Sequence, residues 1–84
     1  MKPGIHHFVS GTRLAFDENI SNRVIGEYAR SGCIIVYVSP KGTSDDVWVA
    51  EAYSRGAEVI LSWDLDVGNI IDKENYSGVQ WREP

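Results

Sequence analysis

The sequence contains a single cysteine and no long apolar run. Cys33 has no second cysteine to pair with, which excludes an internal disulfide and the disulfide-rich class of small domains. Because it opens an apolar run, a buried free thiol is expected. A membrane-spanning helix needs about 20 consecutive apolar residues, and no stretch approaches that length. The first residues also lack the apolar segment of a secretory signal, so we expect a cytoplasmic location without membrane contact.

Basic residues are fewer than acidic ones, 8 against 12, which gives a net charge of −4. This balance argues against nonspecific nucleic-acid binding. Five of the acids are nevertheless expected to share one cluster, and the remaining seven acids face eight bases. A cation bound by the cluster would offset much of the excess charge, so an anionic substrate is not excluded. The five are Asp17, Asp45, Asp46, Asp64 and Asp66.

The length of 84 residues predicts one small domain. Its stability is expected to be on the order of 4–12 kcal/mol, so a metal, a partner protein or a homodimer would contribute materially. Residues 1–12 are interrupted by proline and glycine and are interpreted as an amino-terminal arm or an edge strand. The domain itself is predicted to occupy residues 13–84.

Apolar runs alternate with helical patterns along residues 13–82. Strands are predicted over 13–16, 33–38, 58–62 and 79–81, and helices up to Arg30, over 45–55 and, as a short helix, over 67–71. This order predicts an α/β fold with a small, mostly parallel four-stranded sheet, in the simplest order 2-1-3-4. The run 33–38 does not alternate, so we expect both its faces to be covered. The apolar side of the second helix is predicted to comprise Val47, Ala50, Ala52 and Tyr53.

Acidic residues follow the predicted strands at one edge of the sheet. Asp17 comes directly after the first strand, Asp45 and Asp46 begin the second helix, and Asp64 and Asp66 follow the third strand. Neighbouring strand ends lie about 5 Å apart. Two charges 4 Å apart repel by about 4 kcal/mol at an effective dielectric of about 20, so shared protons or a bound cation must relieve them. Carboxylates without histidine or thiolate favour Mg²⁺ or Mn²⁺.

A structural interpretation of the same acids stays open. Asp45 and Asp46 lie in the first turn of a predicted helix, where negative charge is favoured by the helix dipole. Asp64 and Asp66 could be solvated loop residues. The cluster prediction therefore depends on the topology of the sheet and not on any one spacing.

Four segments resemble a compact PIN-like family, related to Mut-type ribonuclease carboxyl-terminal domains and to VapC-type toxins. LAFDENIS at 14–21 is similar to the family's opening LLFDENLS, and SDDV at 44–47 to its SDEEI segment. VILSWDLDV at 59–67 is similar to VLLTRDKDF, and VQWR at 79–82 to the closing VIWLR. The resemblance covers residues 13–82 in the family's order.

This resemblance implies a PIN-like three-layer sandwich and metal-dependent ribonuclease activity, with RNA as substrate and an antitoxin-like protein as partner. Carried over by position, Asp17, Asp45 and Asp64 would be catalytic metal ligands, and Asp66 a further one. Asp46 stands where glutamate is usual and is included among the ligands. A substrate contact would come from Ser62, which replaces a threonine. Apart from the resemblance, Trp63 could stack on a base or pack in the core or an interface. Lys41 could contact phosphate or be a solvated lysine of its loop.

Other interpretations come from the departures from the family pattern. Trp63 replaces a usual basic residue, which favours a catalytically degenerate PIN-like module that binds a protein partner. The pair Asp64 and Asp66 also resembles the acidic motif of Toprim domains, although Glu18 is a poor fit to the glutamate that those domains require. A receiver-like acidic pocket would need a lysine after a later strand, and Lys73 is poorly placed for that role.

Overall fold

The computed structural model describes residues 5–84 of the chain. Within that range four strands form a single all-parallel sheet in the order β2-β1-β3-β4, and three helices connect them. The predicted α/β class and strand order are thereby confirmed. The elements are β1 (Arg13–Phe16), α1 (Asn22–Arg30), β2 (Ile34–Val38), α2 (Asp45–Ser54), β3 (Val59–Leu61), α3 (Leu65–Glu74) and β4 (Gln80–Arg82).

The register of the sheet sets the position of everything that follows the strands. Phe16 of β1 lies opposite Leu61 of β3, and Leu61 lies opposite Arg82 of β4. The pairing continues past the strand ends, because Asp17 N donates to Leu61 O at 3.0 Å. The chain therefore leaves β1 and β3 at the same level, at one edge of the sheet.

Helices cover both faces of the sheet, which gives three layers. On one face of the sheet, α1 packs over the side chains that the two central strands, β1 and β3, direct towards it. On the other face α2 and α3 pack together over a second core. The first core cluster contains Leu14, Phe16, Ile20, Tyr28, Cys33, Val59 and Leu61, and the second contains Ala15, Trp48, Val49, Ala52, Ala57, Ile60, Val67 and Ile71.

Two packing predictions are wrong. The second strand is not covered on both faces, because it is an edge strand: Ile34 and Val38 are 50% and 44% exposed. The buried side of α2 consists of Trp48, Val49 and Ala52, whereas Val47, predicted to be buried, is 60% exposed. The apolar residues of α2 itself are spread over most sides of the helix, so periodicity alone cannot identify its buried face.

The third helix is longer than predicted. It begins at Leu65, directly after Asp64, and not at 67 as predicted. Residues 64–68, interpreted from the sequence as a loop or a helical turn, are the cap and first turn of α3. The Asp64 side chain caps this turn by accepting a hydrogen bond from Asp66 N at 2.9 Å. The last helical residue is Glu74. The next residue, Asn75, has a φ of 56°, the left-handed conformation common after a helix.

Residues 5–12 form neither helix nor strand, and they pack against the first core cluster as an arm. Ile5 and Phe8 contact this cluster. The His6 backbone N–H donates to the Tyr28 hydroxyl at 3.1 Å, and His6 Nε2 lies 2.7 Å from the carbonyl oxygen of Glu83. Of the two interpretations of this segment, an arm describes residues 5–12, while residues 1–4 lie outside the described range. Within residues 5–84, every helix is too short or too polar to cross a bilayer.

Two helical glycines provide a matched test of the packing of α3 on β4. A Cβ at Gly68 would lie 2.9 Å from Cε3 of Trp81, so Gly68→Ala must displace the indole ring. Overpacking of this kind costs roughly 1–3 kcal/mol, against a gain in helix propensity of about 1 kcal/mol. At Gly26 the nearest atom is the mobile guanidinium end of Arg30, at 3.2 Å. Gly26→Ala should therefore stabilise the protein by roughly 0.5–1 kcal/mol.

Urea unfolding of both variants measures these changes. We expect a net loss of stability for Gly68→Ala and a net gain for Gly26→Ala. An equal gain for both would contradict the close approach of α3 to the Trp81 ring.

Candidate metal centre

Three carboxylates from two elements converge at the carboxyl edge of the sheet. Asp45 is the first residue of α2, Asp64 caps α3, and Asp66 lies in the first turn of α3. One carboxylate oxygen from each lies within 4.8 Å of the other two. We refer to these three residues as the acidic triad. The positive ends of the α2 and α3 dipoles lie at the same place and offset part of the repulsion.

Asp17 lies at the same edge but inside the protein. It is only 6% exposed, and it is not a member of the acidic triad. Its Oδ1 accepts a hydrogen bond from Glu18 N at 2.7 Å, and its Oδ2 accepts one from Ser62 Oγ at 2.6 Å. Both oxygens are thus engaged by the protein, while their remaining lone pairs stay open to a ligand.

Ser62 connects the buried carboxylate to the triad. Its side chain is fully buried, donates to Asp17 and accepts from Asp64 N at 3.0 Å. Its backbone is fixed as well, because Trp81 Nε1 donates to Ser62 O at 3.0 Å and Ser62 N donates to Arg82 O at 3.1 Å. Ser62 therefore has no access to a substrate, contrary to the predicted contact, and instead holds two of the predicted ligands in place.

Trp48 holds the carboxylate of Asp45, the remaining residue of the acidic triad. It is fully buried beneath α2, and its Nε1 donates to Asp45 Oδ1 at 2.9 Å. This bond lowers the pKa of Asp45. Burial, the negative charges of Asp64 and Asp17 and the hydrogen bond with Asp64 act in the opposite direction, and the net result is a pKa above the usual value. Burial is the largest cause of the rise in the pKa of Asp45, and the neighbouring carboxylates add to it.

The other predicted site residues are exposed. Asp46 is exposed and lines a groove of about 380 Å³ together with Asp45, Asp66 and Lys73. Trp63 is 59% exposed directly before Asp64. Lys41 is exposed in the loop after β2, and the neighbouring Gly42 N donates to the Glu18 carboxylate at 3.2 Å.

Sequence reasoning missed Trp48 as part of the site. The signal was present, because a residue three positions after Asp45 in a helix lies on the same side of that helix. Trp48 was also absent from the predicted apolar side of α2, whereas the structure places it both in the core and against Asp45.

Comparisons of this chain with protein-family models, with curated proteins and with solved structures find no match. Functional inference therefore depends on the geometry of the site and on the motifs of the sequence.

Removing the Ser62 hydroxyl tests its structural role. Ser62→Ala should lower the free energy of unfolding by about 1–3 kcal/mol, because the buried carboxylate of Asp17 loses a hydrogen-bond donor. Ser39 provides a matched control. It is also buried at a strand end, but its hydroxyl donates only to the neighbouring Pro40 O, at 3.2 Å. Chemical denaturation should show a clearly smaller loss for Ser39→Ala, and equal losses would contradict the proposed link.

The raised pKa of Asp45 gives stability a defined pH dependence. Folding disfavours the charged form of this carboxyl, and the penalty is absent below its ordinary pKa of 3.8 and complete above the raised value. Asp45→Asn retains an acceptor for Trp48 and removes the charge. We expect it to raise the melting temperature at about pH 7 in EDTA, with the gain vanishing towards pH 3. A gain of the same size at both pH values would contradict the repulsion.

Proposed function

We propose that this protein is a Mg²⁺- or Mn²⁺-dependent ribonuclease of PIN-like type that hydrolyses phosphodiester bonds in RNA. The acidic triad supports the proposal, because three carboxylate oxygens from the starts of α2 and α3 lie within 4.8 Å of one another. The resemblance of the segments around Asp17, Asp45 and Asp64 to the PIN-like family gives this cluster its proposed chemistry.

The donor set fits a hard divalent cation. Carboxylate oxygens bind Mg²⁺ at about 2.0–2.1 Å, so two ligands of one ion lie roughly 3–4 Å apart. The oxygens of the triad lie within 4.8 Å of one another, a limit slightly wider than this spacing. Neither histidine nor thiolate lies among the three, which favours Mg²⁺ or Mn²⁺ over zinc. Asp17 and Asp46 lie outside the acidic triad, and we propose them as further ligands or as sources of negative charge.

A bound cation would supply activation of water and stabilisation of charge on the scissile phosphate. The residues of the chain would do the rest. Asp45, Asp64 and Asp66 would hold the ion, and the buried Asp17 would add negative charge behind it. Ser62 and the α3 cap keep Asp64 in place before the ion arrives. No covalent nucleophile is required for this chemistry.

The surface around the acidic triad offers contacts for RNA. The exposed ring of Trp63 can stack on a base, a contact worth about 1–3 kcal/mol. Lys41, in the exposed loop after β2, can approach a phosphate. Ser62 is buried and is not proposed as a substrate contact.

A second candidate function is that of a catalytically degenerate PIN-like module that binds an antitoxin-like protein or a second copy of the chain. Exposed apolar side chains on both sides of Asp64 favour it, since Trp63 is 59% and Leu65 62% exposed. Such residues are typical of protein interfaces. The same cluster would then serve as an acidic binding edge.

Titration with Mn²⁺ tests the proposed metal site. A ligand at 100 times its Kd stabilises the folded state by about 2.7 kcal/mol, which raises the melting temperature of a domain of this size by roughly 10 °C or more. Asp64→Asn should abolish the rise and should also abolish Mn²⁺-dependent cleavage of single-stranded RNA.

Asp72→Asn is the matched control, because Asp72 is an exposed aspartate of the same helix outside the acidic triad. It should behave like the wild type in both assays. Metal binding without cleavage of any single-stranded RNA would support the binding module. No thermal response to Mn²⁺ or Mg²⁺ would contradict both the metal site and the nuclease.

A further inference from the structure

One ligand of the proposed metal site receives a hydrogen bond from the hydrophobic core. Trp48 belongs to the core cluster under α2 and is fully buried, yet its indole N–H donates to Asp45 Oδ1 at 2.9 Å. The bond joins the first residue of α2 to the residue one turn later. The buried side chains around the Trp48 ring restrict its position, so the N–H donor stays in place when the Asp45 side chain moves.

The other two members of the acidic triad are held differently. Asp64 accepts a hydrogen bond from the backbone N–H of Asp66, and Ser62 fixes the backbone of Asp64. The Asp45 carboxylate instead accepts its hydrogen bond from a side chain, the indole of Trp48. The indole is therefore the group from the core that sets the orientation of the Asp45 carboxylate.

Repulsion makes this restraint necessary. The negative charges of Asp64 and Asp17 face Asp45, and like charges at such distances drive a partly exposed carboxylate to rotate away towards water. A neutral donor can oppose this rotation without adding a charge that would compete with a cation. The bond involves only Oδ1, so the indole does not occupy the second carboxylate oxygen.

We propose that Trp48 is a positioning residue that holds the Asp45 carboxylate in the orientation required to bind a divalent cation. This inference rests on the proposed metal site. Groups that orient metal ligands in this way typically change metal affinity by about 10–100-fold when they are removed. The role of Trp48 is thus to act through Asp45, without contact with the ion or with RNA.

The test compares Mn²⁺ affinity by isothermal titration calorimetry in two variants of the same helix. Trp48→Phe removes the N–H donor and should raise the Kd for Mn²⁺ by about 10-fold or more. Val49→Ala destabilises the same core cluster without touching Asp45, and it should leave the Kd unchanged. A loss of affinity that follows stability in both variants would overturn the inference.

A second variant separates the hydrogen bond from the volume of the ring. The full chain, assembled by ligation between Gly32 and Cys33, can carry at position 48 a tryptophan analogue in which sulfur replaces the indole N–H. This analogue fills the same space and decides the question if Trp48→Phe fails to fold. We expect the same loss of Mn²⁺ affinity. An unchanged Kd would overturn the inference.

Two further results distinguish this inference from the proposed function. Trp63→Phe, at the exposed tryptophan, should leave the Kd for Mn²⁺ unchanged. An equal loss of Mn²⁺ affinity in Trp63→Phe and Trp48→Phe would overturn a specific role for Trp48. Mn²⁺ binding by the wild type together with wild-type affinity in Trp48→Phe would overturn the positioning role alone. Absence of Mn²⁺ and Mg²⁺ binding by the wild type would overturn the proposed function, and the inference with it.

Discussion

The common direction of the four strands is the constraint on which the candidate site depends. In a parallel sheet every strand ends at the same edge, and every following helix begins there. Asp17, Ser62 and the first turns of α2 and α3 consequently meet, although they are far apart in sequence. The repulsion between their carboxylates is a consequence of topology, and the fold tolerates it through helix dipoles and buried hydrogen-bond donors.

The site and the core share side chains. Ser62 continues β3 and is fully buried, yet its hydroxyl joins Asp17 to the backbone of Asp64. Trp48 is part of the core beneath α2, and its indole N–H donates to the carboxylate of Asp45. In a domain of 84 residues there is little room for a separate supporting layer, so the residues that stabilise the fold also orient the carboxylates.

The sequence was sufficient to predict the architecture and the acidic edge, because apolar runs and glycine punctuation encode strand and helix order directly. It did not reveal which side of α2 is buried, since Val47 and Trp48 are both apolar and only tertiary packing selects between them. It also did not separate the buried Asp17 from the exposed Asp64. That difference arises from tertiary packing, in which the buried Ser62 hydroxyl donates to Asp17, and a linear pattern does not show such packing.

The last strand has a consequence for synthesis on the ribosome. The backbone of Ser62 is anchored on both sides by β4, through the indole of Trp81 and the carbonyl of Arg82. A nascent chain that has emerged only as far as α3 therefore carries Asp17 and the whole acidic triad without this anchor. The two hydrogen bonds that hold the backbone of Ser62 can form only after residues 80–82 have left the exit tunnel.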